Sequence, residues 1–164
     1  MEPASPTPDS PPDPTRAGMV LVRHHLHDVD PGLPVILVPV DRRTLARRRW
    51  RGTAQDGTDF GFDLDHALAH RDAVHITRTA VYRIDQTEEP VLIVDLGSAP
   101  AAARTGWLIG NLHFPAQVDG SALVVAEDPA LRQMFAREGI PAREARRRFH
   151  PMGGGHSHGH DHTH

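Results

Sequence analysis

No cysteine occurs among the 164 residues, which excludes a disulfide framework and every metal site built on thiolate. Any metal held by this chain must use imidazole, carboxylate or backbone oxygen. Lysine is absent too, so all 18 basic residues are arginine, set against 21 acidic ones for a formal charge of -3. A chain so near neutrality has no global field drawing it to nucleic acid or to an anionic membrane. Nowhere is there a run approaching the roughly 18 apolar residues of a membrane span. The opening stretch MEPASPTPDSPPDPTRAG has neither the basic start nor the apolar segment of a secretory signal, so a cytoplasmic protein is expected. Signatures of catalysis are missing as well: no phosphate loop, no G-x-S-x-G and no H-E-x-x-H. The chain does not read as an enzyme.

What is present divides into four stretches. Residues 1–17 hold six prolines among small and acidic residues, which bury too little apolar area to offset the entropy of ordering. A disordered arm is expected there. Residues 18–86 carry strand and turn signals: MVLV, PVILVPV, RRRWRGTA, TDFGFDL and AVHITRTAVYRI, with Asp56-Gly57 as a hairpin turn. The spacing predicts a small all-β N-terminal domain.

From residue 87 the pattern changes. PVLIVDL is a continuous apolar run, as in a strand covered on both faces. A helix is predicted from Ser98 as N-cap, through Pro100, Trp107 and Leu108, to Asn111. A second starts at Asp128 and Pro129, turns Leu131, Met134 and Phe135 to one side, and stops at Gly139. SALVVAE between them reads as a strand. PAREARRRF, residues 141–149, suits either a helix or a strand. As a strand it completes the βαββαβ order of a ferredoxin-like α+β domain over residues 87–150. Residues 151–164 read as a flexible tail.

That tail, GGGHSHGHDHTH from residue 153, puts histidine at every second position: His156, His158, His160, His162 and His164. The other 155 residues hold eight. In an extended chain alternate side chains project to the same side, so each His-x-His step offers two imidazoles to one cation. Imidazole suits Ni(II), Zn(II) and Cu(II), and the tail by itself does not choose between them. The histidines are spaced, unlike a purification tag, and the three glycines act as a tether. Ligation requires neutral imidazole, so affinity is expected to fall as pH drops through roughly 6.5.

Other histidines carry weaker signals. His25 and His27 have the spacing of a chelating pair, although histidines on a strand usually face solvent. His66 and His70 have helical i, i+4 spacing, but DLDHALAHRDAV reads as a loop before a strand. His150 reads equally as the ligand nearest the tail or as a solvated residue beside Pro151. The arginine clusters at 42–51 and 143–148 come with only 5% aromatic residues and no nucleic-acid motif. They suit a solvated or acidic-partner face better than RNA or DNA.

Residues 110–115, Gly110-Asn111-Leu112-His113-Phe114-Pro115, match position by position the Gly-Asn-x-His-x-Pro motif of the UreE family of urease accessory proteins. RRTLARRRWRGTAQDGTDFGFDL also resembles that family's first domain, so the likeness extends over about residues 20–164. The resemblance implies a nickel metallochaperone that is a homodimer through its ferredoxin-like domains. His113 from each of two subunits would then share one Ni(II), with Zn(II) or Cu(II) as competitors. Tail histidines would load the site, and the metal would pass to a urease accessory GTPase and the apo-urease complex. A further His-x-His pair found in some members is missing here, where VVAEDPAL places Glu127 and Pro129. The alternatives from the residues alone are a nickel or zinc buffer, or storage protein, without a delivery partner, and a protein-interaction module whose β domain and arginine face matter and whose histidine tail is incidental.

Overall fold

The computed structural model describes residues 18–27 and 29–152. The expected proline-rich arm and the tail histidines 156–164 lie outside the described residues. In chain order the elements are β1 (Val20–Val22), β2 (Val35–Val40), α1 (Arg42–Leu45), β3 (Arg49–Thr53), β4 (Asp59–Asp63), β5 (Ala73–Ile76) and β6 (Val81–Gln86). These are followed by β7 (Glu89–Asp95), α2 (Ala99–Asn111), β8 (Ala116–Asp119), β9 (Ala122–Ala126), α3 (Pro129–Glu138) and β10 (Arg143–Arg147). The chain is mixed α+β, mostly strand with three helices among the described residues.

Two small sheets form in the first half, ordered β1-β4-β3 and β2-β6-β5. Asp56-Gly57 makes the β3–β4 turn as expected: Gly57 takes φ +89, and Asp56 accepts from the Thr58 amide at 3.0 Å. AVHITRTAVYRI is itself a hairpin, folded at Thr77–Ala80 with Thr77 N–H donating to Ala80 O at 2.9 Å. The sheets enclose one core in which Trp50 stacks on Phe62 at 3.7 Å and Phe60 lies 5.2 Å from Tyr82.

The all-β reading of this half needs one correction, because Arg42–Leu45 is a single helical turn. Asp41 caps it, accepting from the amides of Arg43 at 2.9 Å and Thr44 at 3.0 Å, and Leu45 is buried beneath it. Four residues are too few to show a period of 3.6. The cap and one buried leucine are the whole signal.

In the second half the four strands are ordered β10-β7-β9-β8, every pair antiparallel. PVLIVDL is covered on both faces because its side chains alternate. Leu92 and Val94 face Ile109, Leu131, Met134 and Phe135 of α2 and α3. Val91 and Ile93 pack with Val124 and Phe149 on the other side. The segment whose composition suited helix or strand is the edge strand β10, completing the order βαββαβ. Gly139 ends α3 at φ +65, and the segment beyond it pairs with β7 from Arg143 to Arg147. Arginines along β10 blunt an otherwise open edge.

The halves meet through a compact set of polar contacts. Arg42 binds Glu89 with two hydrogen bonds at 2.7 and 3.1 Å and lies 4.9 Å over the Phe149 ring. Arg148 donates to Asp85 at 3.0 Å and to Gln86 O at 2.8 Å, while the buried Gln86 amide donates to Phe149 O at 3.0 Å.

Candidate metal centre

Helix α2 begins where Ser98 accepts from the Ala101 amide at 3.4 Å, with Pro100 in the first turn. Its other end is a Schellman motif. His113 N–H donates to Gly110 O at 2.9 Å and Phe114 N–H to Ile109 O at 3.3 Å, with Phe114 and Ile109 in one apolar cluster. This closure needs a left-handed residue just past the helix, a position usually given to glycine. Here it is His113, at φ +59. A non-glycine residue in that conformation costs about 1–2 kcal/mol. The backbone accepts that cost, and the imidazole is held exposed at the helix end.

The outer face of α2 beside it is uncovered. Ala99, Ala103, Gly106, Trp107 and Gly110 recur at helical spacing and are all exposed. Trp107 stands 67% exposed and Leu112 41%. A Cβ added at Gly106 or Gly110 would meet nothing within 4 Å. Small residues around one large aromatic leave a face that another surface can approach closely.

His150 is also exposed, and its amide donates to Gln117 Oε1 at 2.9 Å. It lines a groove with His70, Gln86 and Phe149. Two residues on, Met152 N–H donates to Ala116 O at 2.8 Å. The root of the tail is therefore tied three residues from His113, an arrangement with no signal in the sequence.

The remaining candidates are accounted for individually. His66 and His70 sit in a loop, so their i, i+4 spacing is not realised on a helix. His70 Nδ1 accepts from the Gln86 amide at 3.1 Å, which leaves the ring proton on Nε2 and no lone pair for a metal. Burial and the Arg148 guanidinium hold His70 below the usual imidazole range, with Asp85 at 3.8 Å opposing them. Glu127 is engaged by Arg132 at 2.6 Å, and Asp128 caps α3 by accepting from Ala130 N–H at 2.8 Å. The arginine clusters are interleaved with acids: Arg42 with Glu89, Arg49 with Asp63, Arg147 with Asp119 and Arg148 with Asp85. His25 and His27 are neighbours, their ring centroids 4.4 Å apart.

Among the described residues no three His, Cys, Asp or Glu side chains form a group able to hold a metal. The sequence motif singles out His113, and its left-handed backbone is seen only in the structure. The Gly-Asn end of α2 followed by Pro115 was the available hint that the helix stops there.

Residues 89–164 match the family model described as the UreE urease accessory protein, C-terminal domain. A urease accessory protein UreE of Beijerinckia indica is 33% identical over 155 residues, covering 90% of this chain and 87% of the relative. That of a Ruegeria species is 33% identical over 151 residues, covering 89% and 82%. The relative from Azorhizobium caulinodans is 30% identical over 152 residues, covering 88% and 72%.

Proposed function

Since the chain belongs to the UreE family and acts in urease maturation as an accessory protein, not an enzyme, we propose that it carries Ni(II) between two copies of His113. The observation that carries this reading is the solitary, exposed His113, held in a strained backbone conformation at the end of an uncovered helix face. One imidazole is a poor site. Two brought together across a twofold axis make a shared one. Such a pair leaves coordination positions open, so the cation can be exchanged instead of trapped.

In this reading residues 18–86 are a β-rich N-terminal domain and residues 87–150 a ferredoxin-like metal-binding domain that pairs through α2. The tail histidines His156, His158, His160, His162 and His164 collect metal. The tie between Met152 and Ala116 supports loading from the tail. His156 is four residues beyond Met152, within about 14 Å of extended chain. Tethering at that range raises the local donor concentration to about the mM scale. His150, at the tether's start, is the first ligand available to a passing ion. Ni(II) is the cargo and Zn(II) or Cu(II) are competitors. The recipients are a urease accessory GTPase and the apo-urease complex in the cytoplasm. No helix among the described residues is long and apolar enough to cross a membrane.

Calorimetric Ni(II) titration, with mass followed by light scattering, tests the proposal on the intact chain, His113→Ala and a deletion of residues 153–164. One tight site per dimer should survive the deletion and vanish in His113→Ala. An unchanged tight site in His113→Ala overturns the interfacial reading. Binding that disappears with the tail alone would leave a metal buffer.

A further inference from the structure

We propose that His25 and His27 form a second metal site, separate from His113, that takes an imidazole-preferring divalent cation such as Ni(II) or Cu(II) on two imidazoles. The pair is organised by the residue between them. Leu26 N–H donates to Ala73 O at 2.7 Å, an isolated antiparallel bridge that pins the middle of the His-x-His unit to the start of β5. With Leu26 fixed and partly buried, alternation along the extended chain sends its two neighbours to the same side. His24, on the other parity, instead lines a groove with His75. His25 is half-buried and His27 exposed, and among the described residues neither imidazole enters a hydrogen bond or an ion pair.

The separation of the rings is compatible with one shared ion. A ligating nitrogen lies about 2.1 Å from the metal and its ring centre about 1.1 Å further out, so each centre is about 3.2 Å from the ion. At a cis angle of about 90°, as in square-planar or octahedral coordination, the two centres stand about 4.5 Å apart; at a tetrahedral angle they stand about 5.2 Å apart. The observed spacing is 4.4 Å, with the rings inclined at 70°. That keeps the two imidazoles within reach of one ion. Two protein donors leave the other positions to water or a small chelator, so this site exchanges readily. It needs no second subunit, and it stands whether or not the shared His113 site does.

The test uses the full-length ¹⁵N-labelled chain titrated with Ni(II) alone, past saturation of the tail, and read by paramagnetic broadening in amide spectra. Signals of His25, Leu26, His27 and Ala73 should broaden in the native chain and in His113→Ala, and stay sharp in the His25→Gln/His27→Gln double variant. Equilibrium dialysis should show one Ni(II) fewer per chain in that variant. Its unchanged spectrum elsewhere establishes that it is folded, as expected for side chains outside the core. Signals that remain sharp in the native chain at excess Ni(II) overturn the proposal. Broadening that persists in the double variant also overturns it, because the ion is then one carried past by the tail.

Discussion

At the scale of single residues, His113 combines a strained backbone with an exposed imidazole. Its φ of +59 serves the Schellman closure that glycine would make without strain. His113→Gly should therefore stabilise the metal-free protein by about 1 kcal/mol, net of the extra freedom glycine gives the unfolded chain. A rise of about 2–4 °C in the melting temperature would register it. His113→Ala, which keeps a Cβ in the same conformation, should melt within a degree or so of the parent. Loss of metal binding in both variants, with stabilisation in only one, separates ligand from strain. Asp56 illustrates a different balance. Hydrogen bonds from the Thr58 amide and the Tyr82 hydroxyl, the latter 2.7 Å away, hold its carboxyl below the usual range. A carboxylate with a depressed folded-state pKa adds stability above its unfolded value and loses it as pH falls through the folded one. In urea unfolding the gap between the parent and Asp56→Ala should be full at pH 6 and shrink steadily below about pH 4.

At the scale of elements, the junction between the halves rests on the chain following β10. Phe149 is fully buried against Val91, Ile93 and Val124, its carbonyl accepts from Gln86, and Arg42 lies over its ring. Phe149→Ala should cost about 3–5 kcal/mol by opening a cavity under β7. Chemical denaturation measures this, and a loss below about 1 kcal/mol would mean the site collapses without strain. The same residues explain why β10 is a strand. Its backbone pairs with β7 from Arg143 to Arg147, and Phe149 then locks the far face.

At the scale of the whole molecule, the uncovered side of α2 bears on assembly. An aromatic side chain 67% exposed beside small residues is what a second copy would cover. Trp107→Arg should leave circular dichroism unchanged, because the side chain is outside the core. In light scattering it should convert a dimer into a monomer, and it should abolish the shared Ni(II) site together with the dimer. A variant that remained dimeric would direct the search to another surface. His25 and His27 should retain their ion throughout, being contained within one chain.

The sequence by itself determined the elements whose signals are local. Ser98, Asp128 and Gly139 mark helix ends through bonds to their own neighbours, Asp56-Gly57 makes its turn within four residues, and the apolar run Val91–Val94 announces burial on both faces. The Gly-Asn-x-His-x-Pro motif at residues 110–115 and the alternating histidines of the tail were equally visible as sequence patterns. Tertiary structure alone decided whatever depends on contacts distant along the chain. Residues 143–147 became a strand because β7 offered an unpaired edge, and His70 was removed from ligand duty by the Gln86 amide sixteen residues away. Met152 brought the tail's root to Ala116, and Leu26 was pinned to Ala73. No periodicity encodes such pairings, since each arises only after two distant segments have been packed against a common core.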